Sequence, residues 1–156
     1  MKLYLVQHGK ALAKEDDPGR SLSDQGEHDV CNMASQLGDA GVQVARIWHS
    51  GKQRAALSAE ILAGKVLSGR TIEAIKGISP NDPVVDFASD ADVWDEDTLV
   101  VGHLPFMSRL VSLLTIGDAG HELVQFTPGS IVCLERQDDH HWVVAWMMRP
   151  ELLSDD

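Results

Sequence analysis

The chain reads as an α/β protein, a three-layer αβα sandwich whose central sheet is mostly parallel with an antiparallel edge. Three patterns predict this. Residues 3–6 and 98–101 are apolar without alternation, as strands covered on both faces read. The early strands are each followed by a polar turn and then a helical pattern. The chain closes with two β-favouring runs joined by a short polar turn, which reads as a hairpin.

Residues 2–9 run Lys-Leu-Tyr-Leu-Val-Gln-His-Gly, a first strand that stops at Gln7, His8 and Gly9. Residues 10–21 are polar and hold Pro18 and Gly19, which mark an irregular loop on the carboxyl edge of the sheet. Ser21, Ser23 and Asp24 offer caps for a helix over 25–37, with Val30, Met33, Ala34 and Leu37 on one face. A second strand is expected over 44–49 and a tight turn at Ser50-Gly51. A helix over 52–63 follows, with apolar cover from Ala55, Leu57, Ala59, Ile61 and Leu62.

Residues 70–75 make a third short strand. Residues 77–97 carry Pro80, Pro83 and several carboxylates, and a short helix fits at 83–93. The strand over 98–101 ends in Gly102-His103, and Pro105 suits the first turn of a helix that reaches Ile116. Strands over 130–135 and 142–148 close the chain around the turn 136–141. A single domain is expected over 1–150, followed by an acidic tail at 151–156 that frays.

At 156 residues the chain is long enough for one domain with a sizeable core. A formal net charge of -11 makes the surface repel phosphate backbones and anionic lipid, so neither nucleic acid nor membrane is an expected partner. Cys31 and Cys133 lack a metal-type spacing and make no disulfide scaffold, which points to a reducing, cytoplasmic setting. In the run Asp139-His140-His141-Trp142 the adjacent histidines would point to opposite faces of a strand, so it reads as a hairpin turn and no metal site is expected.

Parallel strands of such a sheet end on one edge, so His8 and His103 are placed to face each other across a single pocket. Arg54 sits on the first turn of the helix after strand two, where free backbone N–H groups favour an anion, and Arg20 lies on the loop after strand one. Two imidazoles, two guanidinium forks and a helix amino terminus describe a site for a phosphoryl group. Singly, each residue has an ordinary reading: Arg20 as a solvated loop residue, Arg54 as a partner of Glu60, His103 as a core histidine. Only their convergence on one edge favours the site.

The set of His8-Gly9 after strand one, Ser50-Gly51-Lys52-Gln53-Arg54-Ala55 with Ser58-Ala59-Glu60 after strand two, and Gly102-His103 after a later strand resembles the histidine phosphatase superfamily, whose fold is phosphoglycerate mutase-like. Arg20-Ser21-Leu22-Ser23-Asp24-Gln25-Gly26 is similar to a signature of its compact SixA-type phosphohistidine phosphatases. The resemblance implies that His8 is the nucleophile and that Arg54 and His103 bind the phosphoryl group. Arg20, Gln7, Gly9 and Lys10 would add phosphate contacts. It implies a metal-independent hydrolase with no cofactor, acting on phosphohistidine carried by a protein and binding phosphate or another oxyanion.

The chain departs from the superfamily's Arg-His-Gly at Gln7, which keeps an amide donor and loses a charge and a bidentate fork. Lys10 stands where relatives often carry an acid, and is expected to restore part of that charge. Two alternatives follow: a module that binds phosphorylated partners without efficient turnover, and a phosphatase of small phosphate esters. An alcohol leaving group needs a general acid, for which only Glu15, Asp16 and Asp17 are at hand, whereas imidazole leaves near neutral pH without one. The segment between strand three and residue 98 is also too short for a lid domain.

Overall fold

A computed structural model of the chain describes residues 1–153, the side chain of Arg70 excepted. In chain order the elements are β1 (Lys2–Gln7), α1 (Asp24–Asp39), β2 (Val44–His49), α2 (Gln53–Val66), β3 (Leu67–Ala74), α3 (Val85–Ala91), β4 (Thr98–Gly102), α4 (Phe106–Ile116), β5 (Ile131–Arg136) and β6 (Trp142–Met148). The six strands form one sheet in the order β3-β2-β4-β1-β5-β6. The first four are mutually parallel, while β5 runs antiparallel to β1 and β6 antiparallel to β5. This is the expected mostly parallel sheet with an antiparallel edge.

The period-two alternation of the strands divides the core into two layers. Leu3, Leu5, Val100, Val132 and Leu134 face one side and pack with Phe87 and Ala91 of α3 and Phe106, Leu110 and Val111 of α4. Tyr4, Val6, Leu99, Val101, Ile131 and Cys133 face the other, against Val30, Met33 and Leu37 of α1 and Ala55, Ala59 and Leu62 of α2. Non-alternating apolar strands are thus accounted for, because both faces are covered.

The expected apolar face of α2 needs correction. Ala55, Ser58, Ala59, Leu62 and Val66 are its buried residues, while Leu57 is 38% exposed. The buried positions recur at three- and four-residue spacing, and Leu57 falls off that stripe. β3 begins earlier than residue 70, directly where α2 ends, and α3 is shorter than 83–93. The tail also differs from the expected frayed segment: Pro150–Leu152 form a 3-10 turn, Pro150 is buried, and Glu151 accepts from the Thr127 hydroxyl at 3.0 Å while pairing with Arg149 at 2.7 Å. Residues 154–156 lie outside the described residues. The turn at 136–141 is tight, with the Gln137 N–H donating to the His141 carbonyl, and His141 pairs with Asp139.

The loop from β1 to α1 is held against the helix by Ser23. Its side chain caps α1 by accepting from the Gly26 N–H, and its own N–H and hydroxyl both donate to the Lys10 carbonyl. Gly26 is needed for this approach, since a Cβ there would lie 2.1 Å from the Lys10 carbonyl oxygen and 2.8 Å from its nitrogen. Those are backbone atoms that cannot rotate away. Gly26→Ala is expected to cost about 1–3 kcal/mol, as overpacking does, and to lower Tm by several degrees in thermal unfolding. Melting at the wild-type temperature would show that the loop has room to move.

Candidate phosphoryl site

β1 and β4 are neighbours, and Gln7 pairs with Gly102 in their register. The next residue of each chain segment is a histidine. His8 and His103 continue the faces of Tyr4/Val6 and Leu99/Val101, so both rings emerge on the α1/α2 side of the carboxyl edge. Their centroids are 4.9 Å apart with the planes at 51°.

Each ring is held by a specific partner. His8 Nδ1 lies 2.7 Å from the Gly9 carbonyl oxygen, a pure acceptor, so Nδ1 carries the proton and Nε2 the lone pair. That Nε2 faces Arg54, whose Nε is 3.4 Å away. His103 Nε2 lies 2.6 Å from the Ser50 hydroxyl, and its Nδ1 is buried without a hydrogen-bond partner among the described residues.

The backbone around His8 is fixed from three sides. Its N–H donates to the Gly102 carbonyl at 3.1 Å, and the Gly129 N–H reaches the carbonyls of Gln7 and His8 at 3.0 and 3.1 Å. Gly9 donates to the hydroxyl of Ser58 at 3.0 Å, which in turn donates to the Arg54 carbonyl at 2.7 Å. A Cβ on Gly9 would meet Val30 at 2.8 Å and the Gly26 carbonyl at 2.9 Å, so the residue after the histidine must be glycine for the loop to pack.

Burial pushes the His8 imidazole down to about 4, opposed by the Gly9 carbonyl and reinforced by the charges of Arg54 and Arg20. His103 is pushed down to about 3, by burial first and then by His8, Arg54 and Lys52. Both rings are therefore neutral at pH 7. Arg54 is itself lowered, by burial and by the Arg20 charge.

Arg20 thus reaches the electrostatic field of the pair. It sits in the left-handed region at φ 49, its Nε donating to the Leu12 carbonyl at 3.1 Å. Asp17 organises this loop, accepting from the N–H groups of Gly19 and Ser21 and from the Ser21 hydroxyl. Those bonds hold its carboxyl below the usual range, which makes it a poor proton donor.

Two sequence-derived residues are not brought to the rings. Lys10 is exposed and lines a separate depression with Gln25, Asp29 and Thr127. Lys52 is the lysine whose charge acts on His103. Gln7 is 8% exposed, and alternation puts its side chain on the α4 face, opposite His8, where Oε1 has no partner among the described residues. Sequence reasoning missed the parts played by Ser50 and Ser58. Ser58 lies four residues after Arg54, the spacing that puts it on the same helix face.

Among the described residues no three His, Cys, Asp or Glu side chains gather as a metal site, and no helix is long and apolar enough to cross a membrane.

No family model matches the chain. The structure of the protein histidine phosphatase SixA complexed with tungstate superposes with a TM-score of 0.86 at 23% identity, over 97% of this chain and 99% of that one. A phosphoserine phosphatase from Entamoeba histolytica, in complex with 3-phosphoglyceric acid, superposes at 0.67 with 14% identity over 94% and 95%. The chain therefore has the fold of the histidine phosphatase superfamily. More narrowly, it belongs to one family with an uncharacterized protein of Picosynechococcus sp., to which it is 30% identical over 130 residues, 79% of this chain and 78% of the relative.

Three outcomes are expected. In an NMR titration the ring carbons of His8 and His103 stay flat from pH 8 to about 5; a midpoint near the ordinary 6.5 for either would contradict the burial argument. The linked stability term has a definite sign: the unfolded chain binds protons on these rings below 6.5 and the folded chain does not until about 4 or 3. Stability is lost on acidification through that window and unaffected above it. His8→Asn should show a shallower loss between pH 6.5 and 4 in urea unfolding. Separately, Ser58→Ala leaves the buried Gly9 N–H without an acceptor, at a cost of about 1–3 kcal/mol in the same assay.

Proposed function

We propose that the protein is a phosphohydrolase that removes the phosphoryl group from phosphohistidine, with protein-borne phosphohistidine as the substrate and His8 as the nucleophile. The observation that carries this reading is the state of His8: a neutral ring, its Nδ1 proton anchored on the Gly9 carbonyl, its Nε2 lone pair directed beside Arg54. That is the form a nucleophilic imidazole needs.

In the first step His8 Nε2 attacks phosphorus, the bond from phosphorus to the substrate imidazole nitrogen breaks, and that ring, already protonated on its other nitrogen, leaves with the electron pair as neutral imidazole. In the second step water attacks the phosphorus on His8, the bond from phosphorus to Nε2 breaks with its electron pair returning to the ring, the water proton passes to solvent, and orthophosphate departs. Phosphoryl transfer asks mainly for positioning and charge neutralisation, which Arg54 and Arg20 supply. An arriving phosphoryl dianion opposes the cations that depress His103, so binding favours proton uptake on that ring. Ser50 steadies the ring in its empty state.

The leaving-group argument supports phosphohistidine over esters. Asp17 is engaged by Ser21 and Gly19, which hold its carboxyl below the usual range, so it does not stand as a protonated acid for an alcohol leaving group. Imidazole leaves without one. The likeness to SixA supports the same substrate class.

A second reading, a phosphate-binding module without turnover, draws on Gln7, whose neutral amide is buried away from the rings. Release of orthophosphate from a phosphohistidine-bearing protein decides between them. The wild type is expected to turn over through an acid-labile phosphoenzyme, and His8→Ala to lose activity by at least about 1000-fold. Tungstate binding without turnover would establish the module instead, and full activity in His8→Ala would remove the mechanism.

A further inference from the structure

On the α3/α4 side of the sheet a cavity of about 310 Å³ lies between β2, the turn after β3 and α3. Trp48, Phe87 and Trp94 line it. Their rings meet edge-on, with centroids 5.0 Å apart for Trp48 and Trp94 and 5.2 Å apart for Phe87 and Trp94. Both indoles pack against the core of that layer and are only half-buried, so each keeps part of its surface open. Val93, beside them in the lining, is 81% exposed. The chemistry described above uses none of these residues.

The rim is acidic. Asp86 and Asp90 of α3 also line the cavity; both are exposed, and neither side chain has an ion-pair or hydrogen-bond partner among the described residues. Set one helical turn apart, about 6 Å along the axis, the two carboxylates repel each other and disfavour the helix that carries them. Residues 82–97 hold seven of the chain's 24 acidic residues and no lysine, arginine or histidine, so nothing within the segment offsets that repulsion.

The two neighbouring cations do not neutralise the rim. Lys76 lines the cavity but is exposed and makes no ion pair among the described residues. Arg46 is held by the aromatic rings, its guanidinium 4.2 Å from the centroid of Trp48 and 5.0 Å from that of Trp94, while its Nε donates to the Thr98 hydroxyl at 2.8 Å. Ring faces and a hydroxyl, not a carboxylate, are its partners.

Open aromatic surface bordered by unneutralised acids is the complement of a basic surface that carries an apolar anchor. We infer that this groove docks a basic segment of a partner protein, with an apolar side chain entering between the indoles and lysine or arginine side chains meeting Asp86 and Asp90. The anchor would take the indole and valine surface out of water, and the cations would relieve the repulsion along α3 through charge-assisted hydrogen bonds. The groove lies on the sheet face opposite the imidazoles, so the inference is independent of the phosphohistidine reading.

The test uses three fluorescent peptides: a leucine flanked on each side by two lysines, the same with glutamates for the lysines, and the same with serine for the leucine. In fluorescence anisotropy at about 0.15 M salt the wild type should bind the first about tenfold more tightly than either of the others. Asp86→Lys together with Asp90→Lys should transfer the preference to the glutamate peptide, a reversal that misfolding cannot produce. Asp39→Lys together with Glu122→Lys changes the net charge equally at two exposed positions elsewhere and should keep the wild-type order. In a proton–nitrogen correlation spectrum the first peptide should shift the indole signals of Trp48 and Trp94 and leave those of Trp142 and Trp146 in place. Equal affinities for the lysine and glutamate peptides, no binding of any peptide, or no effect of replacing the leucine would overturn the groove. So would a preference that survives the reversal at 86 and 90, an equal loss in the control pair, or shifts at Trp142 or Trp146 in place of Trp48 and Trp94.

Discussion

The hydrogen bond between His8 Nδ1 and the Gly9 carbonyl is the contact on which the site depends, and it is possible only because of what Gly9 does with its other atoms. The Gly9 N–H is anchored on Ser58 of α2, and the missing Cβ lets Val30 and the Gly26 carbonyl of α1 close to within contact. One residue therefore ties β1 to both helices of one layer and sets the tautomer of the nucleophile. A carbonyl acceptor at Nδ1 leaves the lone pair at Nε2, on the side where Arg54 waits. Since Ser58 also bonds the Arg54 carbonyl, the same hydroxyl registers the helix that carries the guanidinium against the strand end that carries the imidazole. Ring and cation are positioned by one short chain of bonds rather than by two independent ones.

The electrostatics follow from that packing. Desolvation is the first cause of the low values at both His8 and His103, and the arginines come after it. A site that gathers cations around two buried rings keeps the rings unprotonated without any acidic partner. Positive charge at this edge is then carried by Arg54, Arg20 and Lys52 rather than by the imidazoles, and the nucleophile stays in its reactive form.

Much of this was legible in the residues. The apolar runs located β1 and β4, because strands covered on both faces leave a period-free signal that little else imitates, whereas β2 and the closing hairpin are legible as β-favouring runs beside polar turns. Both histidines were placed on the right edge by the strand ends alone. What failed depended on side-chain direction. The sequence expects Lys10 to restore part of the charge that Gln7 lacks, but the loop is held against α1 by Ser23 and Gly26, and the lysine is exposed beside Gln25, Asp29 and Thr127. The resemblance makes Gln7, at the motif's arginine position, a phosphate contact, although neighbours in a strand face opposite ways. Leu57 was assigned to the core on hydrophobicity, when the stripe through Ala55, Ser58, Ala59 and Leu62 had room for a serine. Ser58 is buried for the bonds it makes, and polarity on a helix face otherwise reads as exposure.

The two layers of the fold divide stability from chemistry. The α3/α4 layer is filled by Phe87, Phe106 and a set of leucines and valines, and its ring contacts are apolar. The α1/α2 layer, whose upper end carries the imidazoles, uses smaller residues such as Ala34, Ala55 and Ala59 near the sheet. Small side chains let α1 and α2 come close enough for Gly26 to touch the β1 loop and for Ser58 to reach Gly9. Larger core residues in α2 would push the helix outward and move Arg54 away from His8 Nε2. The alanines of α2 are therefore part of the site's geometry although none of them touches a reacting atom, and the bulkier layer across the sheet supplies the apolar burial that this arrangement gives up.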